Sequence, residues 1–219
     1  MRILLSISCI LFLAFGCSPT EKTNEDILTP EEAIQDIQIE DGFEVQPVLS
    51  EPQVEAPVAL TFDEDGKMWV VEMPGYMQDK EAAGENLPVG KIKIFEDKDD
   101  DGEFETTSIF LDSLIMPRTV SIEKGGVLVI EPPKLFFVEN NDGVAGKRIL
   151  IDSVFAEEGN VEHQPNGLIY GIDNWLYSAK SDRRVRFLNG EWKVESTFFR
   201  GQWGISHDDF GRLFYNNNS

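Results

Sequence analysis

The 219-residue chain is 41% hydrophobic, 11% aromatic and 27% charged, enough apolar material to bury a core. Its formal charge of −21 argues against nucleic acid as a partner, because phosphates are repelled from so acidic a surface. The charge is otherwise what a soluble, exported protein carries.

Residues 1–16 read as a signal peptide. Arg2 supplies the positive start, and Ile3–Phe15 is an apolar run too short to span a bilayer. Leu13-Ala14-Phe15-Gly16-Cys17 resembles a bacterial lipobox, with Phe15 a departure from the usual pattern. Lipidation of Cys17 would anchor the protein in the cell envelope, at the periplasmic or outer-membrane surface. Ordinary signal cleavage nearby is the alternative. Cys9 leaves with the signal, so the mature chain has neither an internal disulfide nor a cysteine-rich metal site.

Residues 17–36 form a tether and a short helix. Ser18–Leu28 is polar and poor in aromatics. Thr29-Pro30-Glu31-Glu32 then predicts a helix start, with Thr29 as N-cap, Pro30 in the first turn and acids beside it. Phe43–Leu49 alternates as a strand does.

From there a pattern recurs four times. A turn leads into a short apolar strand, a Gly/Asp/Asn turn follows, and a second strand ends in aromatics. The copies start at Pro57, Pro117, Pro165 and Gln202, spaced 60, 48 and 37 residues apart. A turn-linked strand pair at this spacing is the signature of propeller blades. Further strands are predicted at Lys91–Phe95 and Phe104–Phe110, at 127–130 with 135–138, and at 184–188 with 192–198. Residues 74–90 form a long loop, of the kind that covers a propeller axis. The fold class is therefore all-β, a propeller over residues 37–219. A propeller closes on itself, usually with six or more blades, so four repeats predict part of a larger ring. The repeated aromatics Trp69, Trp175, Tyr177, Trp203, Phe214 and Tyr215 are expected in the core between blades. His207, in a hairpin turn, is expected at the surface.

The acidic run Asp97-x-Asp99-x-Asp101-Gly102-x-x-Glu105 is the clearest metal signal. Alternate carboxylates around a glycine-permitted turn bring several oxygens to one point, which suits Ca2+. It is not an EF-hand, because the twelfth position is Ser108. The alternative is a solvated acidic hairpin. The related turn Glu139–Gly143 keeps fewer acids and reads as a plain turn.

The runs GFEVQPVLSEP, FDEDGKMWVVEMPGY, GKIKIFEDKDDDG, KGGVLVIEPPKLFF, HQPNGLIYGIDNWLYSAKSD and FGRLFYN resemble the N-terminal propeller of large secreted bacterial membrane-bound dehydrogenases. That family is similar in fold to the quinoprotein glucose and sorbosone dehydrogenases. The resemblance covers about residues 30–219. It implies a dehydrogenase acting on a sugar or polyol, with pyrroloquinoline quinone (PQQ) as cofactor and electrons leaving to a cytochrome c domain or protein. The chain holds no Cys-x-x-Cys-His, so a haem module would lie outside it.

The same resemblance implies the site residues. His163, preceded by Glu162, matches the acid–His pair that supplies the general base, and Asp182 is the candidate to orient its imidazole. A tricarboxylate quinone needs several cations. Arg200 matches the family's arginine before the fourth blade, Arg118 holds the equivalent place one repeat earlier, and Lys180 and Arg184 are further candidates. Each has a plainer alternative: a loop histidine bonded to backbone, or surface cations paired with abundant acids. A propeller that binds a glycan or protein partner without chemistry is the rival reading. An enzyme requires His163 and the arginines to converge, and a binder does not.

Overall fold

A computed structural model describes residues 28–156 and 161–217. The signal peptide, Cys17 and most of the tether lie outside the described residues. The chain divides into two compact units, 1–47 and 48–219.

The first unit holds the only α-helix among the described residues, α1 (Pro30–Gln35). Its start is a capping box. Thr29 Oγ1 accepts from the Glu32 N–H at 3.2 Å, and Glu32 Oε2 accepts from the Thr29 N–H at 2.9 Å. The strand predicted at Phe43–Leu49 is absent: these residues run without regular structure. Pro47 interrupts them and removes a ladder donor, which overrides the alternation.

The second unit is a β-propeller arc. Its first blade is a four-stranded antiparallel sheet of β1 (Pro57–Phe62), β2 (Met68–Glu72), β3 (Gly90–Glu96) and β4 (Thr106–Leu114). The second comprises β5 (Thr119–Glu123), β6 (Gly126–Glu131), β7 (Lys134–Asn141) and β8 (Val144–Asp152). The third comprises β9 (Asn166–Tyr170), β10 (Leu176–Ala179), β11 (Ser181–Leu188) and β12 (Glu191–Arg200). A hairpin of β13 (Ser206–His207) and β14 (Leu213–Phe214) follows. Each predicted repeat is thus the inner hairpin of a blade. First strands neighbour one another, β1 beside β5 and β5 beside β9, so they line the axis.

Strand periodicity explains how the blades stack. Along β6, Val127 and Val129 face the first blade while Leu128 and Ile130 face the third, and all four are fully buried. Burying each such side chain stabilises the fold by roughly 1.5–3 kcal/mol. Trp69, at 4.8 Å from Phe110 between ring centroids, packs in the first interblade core. Trp175 and Tyr177 are buried as predicted, whereas Trp203, Phe214 and Tyr215 are 41–54% exposed. Phe214 lies on the two-stranded hairpin β13–β14, Trp203 precedes it and Tyr215 follows it, and among the described residues that hairpin is not completed to a four-stranded blade.

The turns follow a shared device. Asp63 Oδ1 accepts from the backbone N–H groups of Asp65 and Lys67, and Trp69 Nε1–H donates to its Oδ2 at 2.9 Å. Asp173 takes the Tyr177 hydroxyl at 2.8 Å in the same way, and Asp208 takes the Phe210 and Arg212 N–H groups. A side chain that supplies a turn's missing acceptors makes that turn cheap to form.

Among the described residues no helix is long and apolar enough to cross a membrane.

Candidate functional site

The four repeat starts meet at one end of the first strands. Val58, Arg118, Asn166 and Trp203 each stand one residue past a start. Val58, Arg118 and Trp203 line a cavity of about 300 Å3, together with Met73, Tyr76, Glu162 and Gln202. Tyr76 comes from the long loop after β2, in accord with the prediction that this loop covers the axial end.

Asn166 lies beside this wall, 2% exposed, and fixes it. Its Nδ2 donates to the carbonyls of Gln164 at 3.0 Å and Gln202 at 2.8 Å, and its Oδ1 accepts from the Gly204 N–H at 2.7 Å. The segment entering β9 and the segment leaving β12 are thereby stapled together.

His163 ends a single 3-10 turn, Val161–His163, just before β9. Its Nε2 lies 2.8 Å from Gln202 Nε2 and 3.8 Å from Glu162 Oε2. With the Gln202 amide as donor, His163 Nε2 accepts and the ring proton sits on Nδ1.

Asp182 does not orient this ring. It occupies an exposed irregularity at the start of β11, and β11 is two strands out from β9. Among the described residues no hydrogen bond or ion pair joins Asp182 to His163. The imidazole's close partner is the neutral amide of Gln202 instead.

The cations separate as well. Arg118 is 1% exposed and faces the cavity; its Nη2 donates to the Val161 carbonyl, and its guanidinium carbon lies 5.9 Å from the Trp203 ring centroid. Burial pushes its pKa below the ordinary value, with Tyr76 and Glu85 opposing through their charge. Arg200 turns back on its own strand, donating to the Phe198 carbonyl at 2.7 Å and the Thr197 hydroxyl at 2.9 Å, and lies 4.9 Å from the Tyr177 ring. Arg184 bonds Tyr177 and Glu195 and stacks 4.3 Å from Trp175. Lys180 sits 5.4 Å from the Phe199 ring. Arg118 is therefore the one predicted cation that reaches the axial cavity. The others serve the third blade and its edge, because their strands carry them outward from the axis. A tricarboxylate such as PQQ does not fit a cavity with one guanidinium.

Gln202, Asn166 and Tyr76 are not expected at a site from the sequence, and Trp203 is expected in the core, yet Gln202, Tyr76 and Trp203 line the cavity and Asn166 braces it. Their repeat phase was the available signal: Gln202 itself opens the fourth copy, and Asn166 and Trp203 follow the third and fourth starts.

The acidic loop joins β3 to β4, far from these groups in the blade. One carboxylate oxygen from each of Asp97, Asp99, Asp101 and Glu105 lies within 4.8 Å of the others. The Asp101 and Gly102 N–H groups donate to Asp97 at 3.3 and 2.8 Å, and Gly102 has φ of 92°, a conformation that glycine adopts without strain. Asp101 above all, then burial, Glu105 and Asp97, raise the Asp99 pKa. Four convergent oxygens are a donor set for a hard cation, and Ca2+ fits it. Its chemistry there would be charge neutralisation that holds the hairpin.

Comparison with solved structures shows the propeller fold. The chain resembles a gluconolactonase from Xanthomonas campestris, with a TM-score of 0.52 and 16% identity over 78% of this chain and 57% of that one. A luciferin-regenerating enzyme aligns with a TM-score of 0.45 and 10% identity, over 69% of this chain and 50% of that one. Regucalcin from Agrobacterium tumefaciens, a calcium-binding protein, aligns with a TM-score of 0.42 and 12% identity, over 67% and 46%. The chain spans about half the length of these structures. No curated protein matches it. Residues 29–219 match the family described as Domain of unknown function (DUF7133), and the chain belongs to that family.

Proposed function

We propose that this chain carries the ligand-binding propeller of an envelope-anchored enzyme acting on a sugar or polyol. The axial cavity is its site and His163 its proton-transfer base. One observation carries the reading: Arg118, Glu162 and Gln202 come from three separate stretches and line one cavity, and His163 Nε2 lies 2.8 Å from the Gln202 amide nitrogen beside it. A neutral imidazole whose Nε2 lone pair is held by an amide N–H can exchange that donor for a substrate hydroxyl and take its proton. Glu162 Oε2 lies 3.8 Å from the same nitrogen.

The finer form of this reading is a quinoprotein-type dehydrogenase that passes electrons to a cytochrome. It rests on the family resemblance. The described residues supply one of the several cations that PQQ requires, and they do not support that cofactor. The rival, a propeller that binds a glycan or protein without chemistry, is favoured by one feature: the imidazole's closest partner is a neutral amide rather than a carboxylate.

The test uses the full-length gene product. Sugars and polyols are screened by thermal shift, and those that bind are assayed for dye-linked oxidation and for hydrolysis of their lactones. Turnover that His163→Gln abolishes without abolishing the thermal shift supports the enzyme. Binding with no turnover in the wild type replaces it with the binder.

A further inference from the structure

Arg118 holds a position that its repeat equivalents fill with uncharged groups, Val58, Asn166 and Trp203. It is 1% exposed, yet among the described residues it has no carboxylate in salt-bridge contact. Its Nη2 donates to the Val161 carbonyl, and among the described residues its Nε–H is buried without a hydrogen-bond partner. Among the described residues the other fully buried charge, Glu72, also leaves one atom, Oε2, without a hydrogen-bond partner, but it has a counter-charge, its Oε1 lying 2.7 Å from Lys93 Nζ. A guanidinium buried with an open donor is costly unless an acceptor arrives. The cavity it lines is where that acceptor can enter.

We infer that the axial cavity takes a carboxylate-bearing sugar or polyol, a sugar acid, whose carboxylate seats on Arg118. This rests on the reading of the cavity as the site of a sugar-acting propeller. The planar guanidinium edge matches a carboxylate's two oxygens. A cavity of about 300 Å3 is at the small end of ligand sites and suits a single sugar unit. Trp203 and Val58 offer apolar wall to the sugar's C–H faces, while Gln202 and Glu162 offer partners to its hydroxyls. A phosphate dianion is disfavoured, since one cation faces it and Glu162 lines the same cavity.

The experiment measures affinity calorimetrically on the full-length protein. The probes are glucuronate and gluconate, their neutral counterparts glucose and glucitol, and inorganic phosphate. The expected result is that at least one acid binds tenfold or more tightly than its neutral counterpart. Arg118→Lys, which keeps the charge but loses the planar edge, should lower the acid-to-neutral affinity ratio at least tenfold. If neutral sugars bind as tightly as the acids, the carboxylate assignment falls while the sugar-binding reading stands. If phosphate alone binds as tightly as the acids, the site is a general anion site and the assignment also falls. If none of the probes binds, both readings fall. Should Arg118→Lys not fold, the acid-to-neutral ratio in the wild type decides by itself.

Discussion

The Arg118 guanidinium donates to the backbone carbonyl of Val161, 43 residues further along the chain. That bond ties the head of the second blade to the turn that presents His163, so the one axial cation also sets the position of the candidate base. A charge-assisted bond to a part-buried carbonyl contributes about 1.5–3 kcal/mol. Arg118→Ala should therefore lower unfolding stability by about 2–3 kcal/mol in denaturant titrations. An unchanged midpoint would mean that the turn holds itself.

The imidazole environment separates two expectations. His163→Gln in the full-length protein should reduce turnover by roughly 10²–10⁴-fold, the contribution of a positioned base. Asp182→Asn should leave turnover within about twofold, because no hydrogen bond joins its carboxylate to His163. Gln202→Leu should lower turnover, since it removes the amide that lies 2.8 Å from His163 Nε2 and orients the ring. Equal losses for His163→Gln and Asp182→Asn would restore the His–Asp pairing that the geometry excludes.

Calcium should stabilise the β3–β4 hairpin through Asp97, Asp99, Asp101 and Glu105. Asp99 has a pKa raised above its ordinary 3.8, chiefly by Asp101. The folded, metal-free loop thus keeps a proton there that the unfolded chain has already lost. Its stability accordingly falls as pH rises through the window above 3.8, and the advantage conferred by calcium grows over that window. Melting temperature in millimolar calcium should exceed that in EDTA, with a gap that widens from about pH 4 upward and closes in Asp99→Asn/Asp101→Asn. Identical curves would leave the loop a solvated turn.

A buried ion pair offers a stability test away from the cavity. Glu72 Oε1 is 2.7 Å from Lys93 Nζ and accepts from the Glu55 N–H at 2.9 Å, stapling the segment before β1 to the sheet. Removing one partner leaves an unpaired buried charge and should cost about 3–5 kcal/mol. Lys93→Met should show that loss, and Glu72→Gln/Lys93→Met should recover part of it. A double variant no better than the single would show that the backbone bond, not the charge pair, carries the effect.

Membrane attachment through Cys17 follows from the apolar run that precedes it. Cys17→Ala should abolish fatty-acid labelling and release the protein from the membrane fraction. Unchanged partitioning of that variant would remove the lipid anchor from the proposal.

Much of the architecture is local and so was legible in the residues alone. Thr29-Pro30-Glu31-Glu32 dictates a helix start through its own side chains. Each inner hairpin reads from an apolar strand, an Asp- or Gly-bearing turn and a second apolar strand, all within about fifteen residues, the scale of a hairpin. The Asp97–Glu105 carboxylates converge because one turn carries them all. Outer strands were harder: β8 is largely exposed, so its residues lack the alternation that burial imposes. Tertiary structure alone decided the axial site. His163 meets Gln202, and Arg118 meets Val161, across 39 and 43 residues, because separate blades place their first strands side by side. Arg200 and Asp182 share the sequence neighbourhood of the site yet leave it, since each strand of a blade steps about 4.8 Å further from the axis. Chain spacing does not encode that radial distance. Only the order of strands within the sheet does.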